Sequence, residues 1–227
     1  ASLQAAIAAH GEAKAVLFTY PTYDGLAGRL AEMVQIAHQH GLIVLVDEAH
    51  GAHLAFHEDL PADALSCGAD CVAQSTHKLT GSLTQTSMLH CRKGFPYTER
   101  VAAAMALVQS TSPHYWFLAS LDLARQQMAL EGRALEEKAL LLARQARKQL
   151  NALSGISCFG GEMTRYEAVE SLDETKLTID FSGLGLTGRE AERLLRAAHI
   201  EVELTAGHHV LALVTFGDTE KSIQTLL

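Results

Sequence analysis

The run LIVLVD at positions 42–47 constrains this chain more than any other stretch. It follows directly on Gly41, holds five apolar residues without a polar interruption, and ends on a carboxylate. A run this short and rich in β-branched residues predicts a buried strand, with Gly41 stopping the helix before it. That helix is predicted over 26–40, where Leu30, Val34, Ile36 and Ala37 recur at roughly helical spacing, and AVLFTY at 15–20 predicts a strand ahead of it. Strand, helix and strand in succession are the mark of an α/β sheet with crossover helices. Further along, 62–67 predicts a short helix, 70–75 another strand, and 84–90 (TQTSMLH) a third strand of alternating character.

The pattern changes after Gly94. A helix is predicted over 96–108, Thr111-Ser112-Pro113 breaks it, and a long helical stretch runs from His114 to about Leu150 with only Gly132 interrupting. Glycines at 155, 160 and 161 make 154–161 a loop. An α+β pattern follows: strands at 176–181, 201–204 and 210–216, a helix at 188–198 started by Thr187, and a last helix from Thr219. The expected organisation is thus part of a large sheet domain over 1–113, a connecting helix over 114–150 and part of a small α+β domain over 151–227.

The 227 residues carry 18 Lys and Arg against 26 Asp and Glu, a net charge of −8. That balance argues against a nucleic-acid binder, which needs clustered cations to neutralise phosphates. The longest apolar run, Val101 to Val108, falls short of the roughly 18 residues that a membrane span needs. No initiator Met and no secretory leader open the chain, so it reads as a piece of something longer. Cys67, Cys71, Cys91 and Cys158 are scattered without zinc-knuckle or disulfide-framework spacing, which suits a reducing, cytoplasmic setting.

The chemistry concentrates between Val44 and His90. In VLVDEAHGAH (44–53) a strand ends in Asp47, and alternation along extended backbone puts Asp47 and Ala49 on the same side. A carboxylate beside a small methyl can meet a flat heteroaromatic ring, the one pairing with a ring N–H and the other packing on its face. In QSTHK (74–78) a second strand ends in a hydroxyl, then His77, then Lys78. Both motifs fall at strand C-termini, where open α/β sheets bind ligands. A lysine there can form a Schiff base with an aldehyde cofactor while Asp47 keeps a pyridine nitrogen protonated, leaving Ser75 and His77 for a phosphate.

DEAHGAHL (47–54), GADCVAQSTHK (68–78), LTQTSMLH (83–90) and STSPHYWFLASLD (110–122), in this order and spacing, resemble the pyridoxal-phosphate-dependent ornithine/lysine/arginine decarboxylases of the aspartate-aminotransferase fold. The resemblance extends from about Ala15 to Thr219. It implies pyridoxal 5'-phosphate as cofactor, Lys78 as the lysine carrying it, Asp47 as partner of the pyridine nitrogen and Ala49 as the residue packing on the ring. Ser75 and His77 correspond to phosphate contacts, His50 to a residue bonding cofactor or substrate, and His77 or Lys78 to the proton donor at Cα. Thr84 and Gln85 fall near the site, close to a subunit interface; Thr22 or Tyr23, in the turn at 19–25, would lie near the ring hydroxyl. The implied reaction releases CO₂ from arginine, lysine or ornithine, in a homodimer or larger assembly serving polyamine synthesis or acid resistance. Full-length relatives begin with a long segment bearing a Gly/Ser/Thr phosphate loop and a ring-stacking residue, which this sequence lacks.

Other readings share the same residues. An aminotransferase or aldolase of this fold would also use Asp47 and Lys78, and a noncatalytic remnant would keep the fold alone. His50, His53 and His57 have a spacing that suggests zinc, but twelve histidines make chance clusters common and no metal is expected.

Overall fold

The computed structural model describes residues 2–227. In chain order the elements are α1 (Leu3–Ala9), β1 (Ala15–Thr19), β2 (Leu26–Ala27), α2 (Leu30–Gln39), β3 (Ile43–Asp47), β4 (Cys71–Gln74), α3 (Thr76–Leu79), β5 (Met88–Cys91) and α4 (Thr98–Val108), followed by α5 (Tyr115–Leu150), β6 (Ser157–Cys158), β7 (Ser171–Leu172), β8 (Lys176–Asp180), α6 (Gly188–Ala197), β9 (Leu204–Ala206), β10 (His209–Leu213) and α7 (Glu220–Leu226). They fall into two compact units, through both of which the long helix α5 passes.

The first unit takes in the residues up to Tyr20 together with Arg29–Ala55 and Ala62–Leu130. Its sheet has the order β1-β3-β4-β5. The first three strands are parallel, with Thr19 opposite Asp47 and Asp47 opposite Ala73, and β5 runs antiparallel to β4. The crossover between β1 and β3 is α2, which buries Leu30, Val34 and Ala37. It ends as Gly41 predicts: at φ +71 the Gly41 N–H reaches the His38 carbonyl and the Leu42 N–H reaches that of Ala37, a Schellman ending that turns the chain straight into β3. One sheet face buries Val44, Val46 and Val72. The other carries Leu17, Leu45 and Leu89, of which Leu17 remains 67% exposed.

The second unit comprises Pro21–Gly28, Phe56–Pro61 and Glu131–Leu227. Its antiparallel sheet has the order β6-β8-β10-β9, and β2 and β7 form a separate ribbon. Leu177 and Ile179 of β8, Val210 of β10, Ala143 and Ala146 of α5 and Ile223 of α7 share one core. Buried to that extent, the leucine, isoleucine and valine side chains each contribute about 1.5–3 kcal/mol of transfer free energy. A full capping box, Thr187 with Glu190, starts α6 where the sequence places it.

Several expectations need correction. The helix expected over 62–67 is a single turn: Asp63 takes bonds from the Ser66 N–H and hydroxyl, and Gly68 at φ +95 leads the chain away. The strand expected over 84–90 begins only at Met88, because Gln85 at φ +75 and buried bonds of Thr86 bend the preceding residues. The strand expected over 201–204 is shifted to Leu204–Ala206. Gly132 does not interrupt α5; a Cβ there would lie 2.9 Å from the Phe56 ring, so the glycine admits a close neighbour.

Candidate functional site

Asp47 is the last residue of β3, and one of its oxygens accepts the Ala49 N–H at 3.0 Å. This local bond sets the carboxylate at the sheet edge, where Asp47 is exposed. Ala49 follows on the same side. Ser75, one residue beyond β4, caps the short helix α3 by position, but its hydroxyl makes no capping bond. Asp47, Ala49 and Ser75 together line a cavity of about 580 Å³, whose floor is Leu17, Leu45 and Ala73 of the open sheet face. An acid, a methyl and a hydroxyl from two parallel strand ends therefore border a space with an apolar floor.

Lys78 and His50 meet. The lysine Nζ lies 2.9 Å from His50 Nε2, and the histidine is 5% exposed while the lysine is half-buried. An ammonium has only protons to give, so His50 Nε2 is the acceptor when Lys78 is charged. Neither residue lines the cavity named above, nor does His77. His77 Nδ1 lies 2.6 Å from the Thr86 carbonyl and must donate to it, which fixes its tautomer. Around it, Thr76, Ser82 and Thr86 form a buried chain of hydroxyl bonds, and the Thr80 hydroxyl returns to the Thr76 carbonyl. This network knits the residues after Lys78 into a fixed loop. Thr84 and Gln85 project from that loop as exposed side chains.

The residue that sequence reasoning missed is Glu48. Alternation sends it away from Asp47 into the interior, where it is fully buried. Its Oε1 accepts the Ala64 N–H at 2.7 Å and its Oε2 the Gln74 amide at 2.6 Å. Burial pushes its pKa up to about 7, against the pull of those bonds and of nearby His53. Glu48, one residue from Asp47, thus joins the end of β3 to Gln74 at the end of β4, which itself lines the cavity. The same twofold period that placed Asp47 and Ala49 together was the signal for it.

A second anchor lies at the other end of β4. Asp70, 4% exposed, accepts from the Val44 N–H at 2.9 Å, meets His38 Nε2 at 2.8 Å and pairs with Arg92 at 2.8 Å. Burial opposes its ionisation, but these three bonds together hold its carboxyl below the ordinary range.

Thr22 uses its hydroxyl within its own turn, accepting from the Leu26 N–H, and Tyr23 is 45% exposed; both belong to the second unit. His57 bonds Glu137 at 2.7 Å. Among the described residues, no group of three or more His, Cys, Asp or Glu is placed to hold a metal ion, and no helix is long and apolar enough to cross a membrane.

The family described as Orn/Lys/Arg decarboxylase, major domain, matches residues 1–222. The chain is 44% identical over 227 residues to an arginine decarboxylase of Bacillus anthracis, an alignment covering 100% of this chain and 46% of that protein. The chain therefore spans about half the length of the curated relatives it matches. Among solved structures, lysine decarboxylase A from Pseudomonas aeruginosa superposes with a TM-score of 0.80 at 23% identity, over 99% of this chain and 38% of that one. An alanine–glyoxylate aminotransferase from Nostoc sp. superposes with a TM-score of 0.74 at 17% identity, over 100% of this chain and 63% of that one. At such low identity these two structures show a shared fold.

Proposed function

The chain belongs to the Orn/Lys/Arg decarboxylase family, and from that premise we propose that its strand-edge site holds pyridoxal 5'-phosphate and serves the decarboxylation of a basic amino acid, arginine before lysine or ornithine. The observation that carries this reading is that Asp47, Ala49 and Ser75 border one cavity at the C-terminal edge of the parallel strands. The residues present fit the cofactor. Asp47 offers an exposed carboxylate, Ala49 a flat apolar contact and Ser75 a hydroxyl without a capping bond, and Lys78, three residues beyond Ser75 and outside the cavity lining, a primary amine. When bound, the cofactor supplies an electron sink for the pair left behind as the α-carboxylate departs as CO₂.

The protein's own groups do the rest. Asp47 would hold a proton on the pyridine nitrogen, and the Ala49 N–H, bonded to one of its oxygens, steadies the carboxylate for that role. His50 orients the Lys78 amine and takes up its proton when the amine acts as a nucleophile. Lys78, or His77 through its Nε2 when the ring carries a second proton, would deliver the proton that Cα requires. In this reading the parent protein is a homodimer or larger, and acts in the cytoplasm.

The name of the Bacillus relatives favours arginine as substrate. The test is product analysis: protein supplied with pyridoxal phosphate is given arginine, lysine or ornithine, and CO₂ and the matching amine are measured. One CO₂ per agmatine from arginine is expected; a keto acid in place of CO₂ would make the protein an aminotransferase.

A further inference from the structure

We propose that Cys71 and Cys91 are a modification site, closing to a reversible cross-strand disulfide when a hydroperoxide reaches Cys91. The two residues stand directly opposite each other in the antiparallel pair of β4 and β5, and their sulfurs are 3.5 Å apart. On the neighbouring rung the Arg92 N–H donates to the Asp70 carbonyl, which makes the cysteine rung one of the narrow ones without backbone bonds. Such rungs hold their Cα atoms about 4.5 Å apart, inside the span of a disulfide. Bond formation needs the sulfurs to approach by about 1.5 Å, which small side-chain rotations supply. Asp70 and Arg92, each adjacent to one of the cysteines, are themselves paired at 2.8 Å, so the register is held before and after oxidation.

Accessibility orders the steps. Cys91 is partly exposed, whereas Cys71 is buried. The Cys91 sulfur attacks the peroxide oxygen; the O–O bond breaks, Cys91 becomes a sulfenic acid and the alcohol or water leaves. The Cys71 sulfur then attacks the Cys91 sulfur, the S–O bond breaks, and the hydroxyl departs as water with the Cys71 proton. Two thiols are oxidised by two electrons and one peroxide is reduced. Burial, with the neighbouring Cys91 thiol, pushes the Cys71 pKa up to about 12, in keeping with the later step that its enclosure gives it. The bridge closes a loop carrying Ser75, His77 and Lys78, and Cys71, at the opposite end of β4 from Ser75, lines the same cavity as Asp47 and Ser75.

The experiment treats the purified protein with hydrogen peroxide, alkylates the remaining thiols and maps the digest under non-reducing conditions. A peptide joining Cys71 to Cys91 is expected, with Cys67 and Cys158 still alkylated. A rise in Tm of about 5–10 °C should accompany it and be reversed by dithiothreitol. Cys67→Ser should retain the link and the rise, and Cys91→Ser, at the more exposed position, should lose both. Further oxidation of Cys91 to the sulfinate without a link, or the same rise in the Cys91→Ser protein, overturns the assignment.

Discussion

Lys78 Nζ and His50 Nε2 lie 2.9 Å apart, so the amine that the proposed chemistry needs is held by a buried imidazole rather than left to solvent. Borohydride reduction of protein loaded with pyridoxal phosphate, followed by peptide mapping, should place the cofactor's mass on Lys78. Lys78→Arg should keep the far-UV circular dichroism and carry no such mass. In His50→Ala the labelling of Lys78 should slow about tenfold, the equivalent of one lost bond to a charged group. Undiminished labelling of the Lys78→Arg chain removes Lys78 from the role.

Glu48 makes stability depend on pH in the direction opposite to a surface carboxylate. Its native pKa, about 7, lies above its ordinary 4.5, so the folded state holds the proton more tightly. The stabilisation from that proton is full below about pH 4.5 and is lost as pH rises through about 7. In Glu48→Gln a flip of the Gln74 amide lets both partners stay bonded, so the variant copies the protonated form. Denaturant titrations should find the two proteins similar near pH 5. By about pH 8 the native sequence should have lost on the order of 2 kcal/mol relative to Glu48→Gln. Parallel curves across that range would contradict the assignment.

Gly132→Ala should destabilise the protein by about 1–2 kcal/mol although alanine is the better helix former. The new Cβ would meet Phe56 Cδ1 at 2.9 Å and Phe56 Cβ at 3.1 Å, and a Cβ near the backbone cannot swing aside. Phe56→Leu in the same chain should recover part of the loss. A gain in Tm for the single variant would show that the contact is loose.

His199→Gly should stabilise by about 0.5–1 kcal/mol. His199 sits at φ +62 just past α6, where its N–H reaches the Arg196 carbonyl and the Ile200 N–H that of Leu195. Glycine takes that left-handed position without the Cβ penalty. The midpoint of urea unfolding should rise at unchanged slope.

Much of this was legible in the residues. Gly41 against LIVLVD announced a helix end and a buried strand, and both are where the run put them. Thr187 announced the start of α6. What escaped was set by side-chain bonds between distant positions. Nothing local in TQTSMLH reveals that Thr86 bonds Ser82 and bends the backbone, and nothing local to Gly132 reveals Phe56. At the site, Asp47 and Ala49 were readable from alternation and Ser75 from its place at a strand end, and the three share a cavity. The meeting of His50 with Lys78 was not, because it joins residues 28 positions apart.

The pairing of β3 between β1 and β4 has an evolutionary corollary. Adjacent acids occupy opposite sides of that strand, Asp47 open and Glu48 enclosed. Gaining or losing a single residue within 43–47 would trade their places, interring the carboxylate that borders the cavity and baring the one that clasps Gln74. Lineages descended from this gene should therefore tolerate indels in the exposed turns far more readily than in these five positions.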